Sequence, residues 1–209
     1  MQAYATTVAT HLLQINAIKL SPQNPFTWAS GIQSPIYCDN RITLSYPEVR
    51  QVILEGFKAL SESFEPFDAI SGVATAGIPH AMLLAHELGL PFSYVRSKPK
   101  EHGRKNQIEG KIEAGQRILM IEDLISTGGS SLKAVEAVRE SGAIVVGVLA
   151  IFTYGFQQAA DAFEASNCPF ATLSNYETLL QTAVAKDYIS TADLTQLNAW
   201  NRDPSAWGK

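Results

Sequence analysis

The chain has 209 residues, 46% of them hydrophobic, and its 16 Lys and Arg stand against 20 Asp and Glu for a formal charge of −4. The length gives a prior of roughly 1.4 domains, one domain with an appendage, and the composition excludes a disordered or collagen-like chain. An acidic balance argues against a general nucleic-acid binder, no apolar run approaches the roughly 20 residues that cross a bilayer, and two cysteines make no disulfide framework.

In chain order, Val8, Leu12 and Ile15 recur at helical spacing and predict an amphipathic helix over 3–16. Residues 20–46 are rich in Ser, Pro, Asn and Gly, with the run Ser34–Cys38 reading as an edge strand. Pro47 opens a helix with Val49, Val52, Ile53, Phe57 and Leu60 on one face. Strands and helices then alternate: strands at 68–73, 92–96, 117–121 and 143–152, helices at 77–88 and 129–141. The 143–152 run is almost wholly apolar, as a strand buried on both faces requires. Such alternation predicts an α/β fold, an open and mostly parallel sheet flanked by helices, with a small N-terminal hood. The tail from Phe170 reads as two helices with capping-box starts, Ser174…Glu177 and Ser190…Asp193.

The strongest constellation lies between Ile118 and Ser131. An apolar strand ends in Glu122 and Asp123, and Leu124, Ile125, Ser126, Thr127, Gly128, Gly129 and Ser130 lead into a helix. In open α/β sheets ligands bind beyond the carboxyl ends of strands, and free N–H groups at a helix start favour a phosphate. The Gly-Lys-Ser/Thr of a nucleoside-triphosphate loop is missing. Two carboxylates beside a monophosphate cradle suit vicinal hydroxyls next to a phosphate, as in a ribose 5-phosphate. An ordinary βα turn also carries Ser and Thr as caps; strand, acid pair and loop together point beyond it.

From Arg96 to Lys111 there are six basic residues and two acidic ones, a local charge of +4 in an acidic chain. This stretch joins two strands without apolar periodicity, so it reads as a lid able to close on a diphosphate leaving group, or as a solvated charged loop. A third turn, Ser71 to Pro79, offers N–H groups to a second anion, or is a tight βα turn. His11, His80 and His86 read as packing or surface residues.

Residues Ile118–Ser131 resemble the phosphoribosyl-diphosphate signature of type I phosphoribosyltransferases. Phe26–Tyr37 resembles the pyrimidine-binding segment of the orotate phosphoribosyltransferase branch, and Arg96–Gly103, with Lys-Pro-Lys-Glu-His-Gly at its core, resembles that branch's lid. The resemblance implies one phosphoribosyltransferase domain over 1–209: a hood at 1–46, a core at 47–165 with the lid at 97–113, and C-terminal helices at 166–209. It implies Mg²⁺-dependent transfer of ribose 5-phosphate from phosphoribosyl diphosphate to orotate, with no dedicated protein metal site. Glu122 and Asp123 would hold the ribose hydroxyls, Ser126 to Ser130 would wrap the 5-phosphate, Leu124 and Ile125 would also line the phosphoribosyl-diphosphate site, and Ser126 and Tyr37 would touch orotate. Arg96, Lys100 and His102 would bind the diphosphate, with Lys100 and His102 catalytic, and the lid would reach the neighbouring subunit's site in a cytoplasmic homodimer. No nucleic-acid or membrane partner is expected.

The chain departs from some branches of that family in having Ala29 and Ser97 where they carry Lys. It also has Thr153-Tyr154-Gly155 where they carry an Arg for the orotate carboxylate. Arg41, close in sequence to Tyr37, is the expected replacement, and Lys98 the expected substitute at the diphosphate. A transferase for another nucleobase and a non-catalytic phosphoribosyl-diphosphate sensor are the alternatives.

Overall fold

The computed structural model describes residues 2–27, 31, 33–98, 107–204 and 206–207. Helix α1 (Gln2–Gln14) leads to strands β1 (Ile18–Leu20), β2 (Phe26–Thr27), β3 (Gln33–Ser34) and β4 (Ile36–Cys38), then a 3₁₀ helix, η1 (Asn40–Ser45). Two small antiparallel pairs, β1 with β4 and β2 with β3, make up this region. Helix α2 (Pro47–Ser61) follows, with its proline at the start and Val49, Ile53 and Phe57 buried as the periodicity predicts.

The core alternates: β5 (Ala69–Val73), α3 (Gly77–Leu88), β6 (Phe92–Val95), β7 (Ile108–Glu109), β8 (Arg117–Ile125), α4 (Gly129–Glu140), β9 (Ile144–Thr153), α5 (Gln157–Ala165), β10 (Phe170–Asn175), α6 (Tyr176–Ala185) and α7 (Asp193–Arg202). Six strands form one sheet in the order β10-β9-β8-β5-β6-β7, parallel except for β7. Alternate side chains of the central strands go to opposite faces. Leu119, Ile121, Leu149 and Ile151 pack with α1, α2, α3, α6 and α7, while Ile118, Met120, Val148 and Ala150 pack with α4 and α5. The two C-terminal helices cover the sheet: Leu179, Leu180, Leu197 and Trp200 are buried, and the Tyr176 hydroxyl donates to the Leu197 carbonyl at 3.0 Å.

Four features differ from the sequence reading. Strand β8 runs on through Glu122 and Asp123 to Ile125, because the long apolar β9 keeps pairing with it as far as Ile125–Thr153. Strand β10 and helix α5 were not anticipated; each buries few side chains, Leu173 and Ser174 in one and Ala159 and Phe163 in the other. The cap of α6 is Asn175, whose side chain accepts from the Thr178 N–H at 2.9 Å, while Ser174 donates to the Ala5 carbonyl. Asp193 does accept from Ser190, N–H at 2.9 Å and hydroxyl at 2.8 Å, at the start of α7.

His80 is a buried member of α3, with Nε2 3.3 Å from the Thr43 hydroxyl and its ring edge-on to Phe57. Burial, and then the Arg50 charge, lower its pKa to about 4. An unfolded histidine titrates near 6.5, so the unfolded chain gains a proton that the folded chain refuses, and stability is lost as pH falls from about 6.5 toward 4. His80→Gln is expected to remove up to roughly 1.4 kcal/mol per pH unit of that slope, read by urea unfolding at stepped pH. An unchanged slope contradicts the assignment.

Candidate active site

The carboxyl ends of β5 and β8 open into a cleft of about 430 Å³. Its wall is built from Glu122 to Leu124, the loop Ser126–Ser130, the turn Ala74–Ala76, and Cys38, Asp39 and Arg41 from the N-terminal region. The turn and the loop, two separate anion candidates in the sequence, therefore face one space. They come this close because Gly77 starts α3 directly against β8: a Cβ there would collide with the Ile121 carbonyl oxygen.

Glu122 is 5% exposed. One carboxylate oxygen accepts from the Ser131 hydroxyl at 3.1 Å and the other from the Asp123 N–H at 3.0 Å. Burial, with the neighbouring Asp123 charge second, pushes its pKa well above the usual carboxylate range. Burial also raises that of Asp123. A carboxylate has about four acceptor sites, so both retain capacity for ribose hydroxyls.

Beyond the acids, Thr127, Gly129 and Ser130 are exposed where α4 begins, and the first N–H groups of a helix lack intrahelical partners. Those donors and the positive end of the helix dipole suit a phosphate. Gly128 makes the turn possible. Its φ is +82°, and an added Cβ would sit 2.9 Å from Cε2 of Phe163, itself buried. Left-handed strain and overpacking together predict that Gly128→Ala costs about 2–4 kcal/mol. Gly129→Ala, whose Cβ meets nothing closer than 4.0 Å, is expected to stay within about 0.5 kcal/mol of wild type in the same urea titration. Equal losses in the two variants would refute this account of the loop.

The cleft thus gathers Glu122, Asp123, Leu124, Ser126, Thr127, Gly128, Gly129 and Ser130, together with Arg41. Three anticipated residues lie outside its lining. Ile125 is fully buried in the core, and its carbonyl accepts from the Thr153 hydroxyl at 3.0 Å. Tyr37 is 41% exposed with its ring against Phe26, and Arg96 pairs with Glu109 at 3.7 Å. Lys100 and His102 lie outside the described residues. Thr153-Tyr154-Gly155 has a packing role: the Thr153 hydroxyl ties the ends of β8 and β9, and Tyr154 is buried between Phe152, Phe156 and Trp200.

Sequence reasoning passed over Cys38, Asp39 and Asn40. Asp39 forks the Arg41 guanidinium with bonds of 2.7 and 2.8 Å. That side-chain bond, with Arg41's charge adding to it, lowers the Asp39 pKa. The signal was the polar run Asp-Asn-Arg directly after the strand that ends at Cys38.

Comparison with known families matches residues 45–185 to the phosphoribosyl transferase domain. The orotate phosphoribosyltransferase of Listeria innocua is 54% identical over 203 residues, covering 97% of each chain. This chain belongs to the orotate phosphoribosyltransferase family. Among solved structures of that family, the Aeropyrum pernix orotate phosphoribosyltransferase superposes with a TM-score of 0.75 at 27% identity, over 88% of this chain and 99% of that one. The Mycobacterium tuberculosis orotate phosphoribosyltransferase, solved with 5-phospho-α-D-ribosyl 1-diphosphate, gives 0.67 at 25% identity, over 84% and 98%. The doubly wound sheet is therefore the type I phosphoribosyltransferase fold. Among the described residues no helix is long and apolar enough to cross a membrane.

Proposed function

We infer that the chain transfers ribose 5-phosphate from 5-phospho-α-D-ribose 1-diphosphate to orotate, giving orotidine 5′-monophosphate and diphosphate, a step of pyrimidine nucleotide biosynthesis. The observation that carries this reading is one cleft holding a buried acid pair, an anion loop at a helix start and a second small-residue turn. Glu122 and Asp123 hold the ribose hydroxyls. Residues 126–130 hold the 5-phosphate, and the turn 74–76 faces the diphosphate. The C1–oxygen bond to diphosphate breaks as the bond to the orotate ring nitrogen forms, so positive charge gathers at C1 and negative charge on the leaving group. Positioning and fixed electrostatics are what the protein contributes to such a step.

Mg²⁺ fits this site as an ion carried on substrate oxygens, since Glu122 and Asp123 would hold it through the ribose hydroxyls, and when bound it neutralises charge on the diphosphate. Arg96, Lys100 and His102 act on the diphosphate of a neighbouring subunit in a homodimer. The place of Arg96 outside its own chain's cleft lining supports that arrangement. Free thiols at Cys38 and Cys168 support a cytoplasmic setting.

Arg41 lines the cleft with its side chain 65% exposed, its two bonds to Asp39 leaving further guanidinium donors for the orotate carboxylate. Arg41→Ala is expected to raise the KM for orotate on the order of tenfold with the KM for phosphoribosyl diphosphate little changed. Wild-type orotate affinity refutes that role. The reaction itself is tested by diphosphate release across a panel of orotate, uracil, adenine and hypoxanthine. Release with orotate alone is expected, and release with another base instead would replace the acceptor.

A further inference from the structure

Asn40 is 1% exposed and lies where the N-terminal region crosses the end of β8. Its side-chain Nδ2 donates to the backbone carbonyl of Asp123 at 2.8 Å, and its Oδ1 accepts from the Cys38 thiol at 3.4 Å. The amide orientation follows from those partners, because a carbonyl can only accept. The Asn40 carbonyl in turn accepts from the Thr43 hydroxyl at 2.6 Å, which leaves the Thr43 oxygen to accept from His80 Nε2 at 3.3 Å.

The Asp123 carbonyl needs such a partner. The last β5–β8 pair is Gly72 with Ile121, one residue before β5 ends at Val73. The Ile121 carbonyl faces Gly77 on that side, and carbonyls two residues apart in a strand point the same way. The Asp123 carbonyl thus points past the end of β5, where the sheet supplies no N–H. Asn40 stands in for the missing strand. A part-buried carbonyl left without a donor would let this end of β8 shift, and the Asp123 carboxylate with it.

We propose that Asn40 is a positioning residue for ribose recognition: through the Asp123 carbonyl it holds the acid pair at the height the ribose hydroxyls require. The proposal rests on the assignment of Glu122 and Asp123 to those hydroxyls. It places on the N-terminal region a part in sugar binding besides the base-binding part its sequence suggests. Asn40 is not part of the cleft lining and acts through Asp123, and the phosphate loop at 126–130 is held separately, by the Gly128 turn and α4.

That separation provides the test. Asn40→Leu keeps the volume and removes both polar atoms. Asn40→Asp keeps the shape and, when ionised, lacks the donor. Titration calorimetry of each full-length variant with phosphoribosyl diphosphate and Mg²⁺, and separately with inorganic phosphate, reads the acids and the loop apart. Affinity for phosphoribosyl diphosphate is expected to fall on the order of tenfold in both variants at pH 8, with stoichiometry per chain preserved and phosphate affinity within twofold of wild type. Wild-type affinity for phosphoribosyl diphosphate in either variant overturns the proposal. So does a parallel loss of both ligands with falling stoichiometry, the signature of a general structural role. The titrations contain no orotate, so failure of the wild type to consume orotate would strike the acceptor assignment and leave this comparison intact.

Discussion

Turnover of orotate by Lys100→Ala is expected to fall by a factor on the order of 10²–10³ while the unfolding midpoint stays within error of wild type. Bond breaking at C1 places new negative charge on the departing diphosphate, and a cation aimed at that charge acts mainly in the transition state. The loss belongs in kcat more than in KM. Lys100 sits in the Lys-Pro-Lys-Glu-His-Gly stretch whose resemblance to the family's lid assigns it this role. Stability is spared because the lid sequence carries no apolar periodicity that would tie it to the core. An unchanged kcat, or a loss matched by a fall in unfolding free energy, contradicts the lid assignment.

The second large effect is at the acid pair. Asp123→Asn is expected to lower kcat/KM for phosphoribosyl diphosphate by about 10–100-fold, the worth of one charge-assisted hydrogen bond to a ribose hydroxyl. Its pH dependence carries a sign. Burial raises both carboxyls above their ordinary range, so the acceptor form is lost as pH falls through a value higher than an exposed carboxylate's. The acid limb of wild-type kcat/KM therefore lies above the ordinary Glu value of about 4.3. The Ser131 hydroxyl lowers the Glu122 pKa by bonding to its charged form. Ser131→Ala is thus expected to move that limb toward higher pH. A limb that stays in place or moves the other way would refute the role of Ser131.

The strand, acid pair and glycine turn at 117–131 were legible because each is local: an apolar run, then two acids, then residues that tolerate a left-handed backbone. Gly128 shows the limit of that reading. Its positive φ belongs to the loop, but the Phe163 ring that forbids a side chain comes from α5, a nine-residue helix that buries only Ala159 and Phe163. Strand β10 escaped for a related reason, since an edge strand with few buried residues shows weak alternation. The bond from Asn40 to Asp123 spans 83 positions, and no periodicity encodes it. Tyr37 and Arg96 were found by motif, but a motif does not say which surface a side chain faces.

The central claim is phosphoribosyl transfer to orotate, and the ultraviolet absorbance of orotate tests it directly. With purified protein, phosphoribosyl diphosphate and Mg²⁺, the orotate band is expected to disappear, and to persist when either the protein or phosphoribosyl diphosphate is left out. A band that persists in the complete mixture, while uracil or a purine base is consumed in its place, would contradict the account.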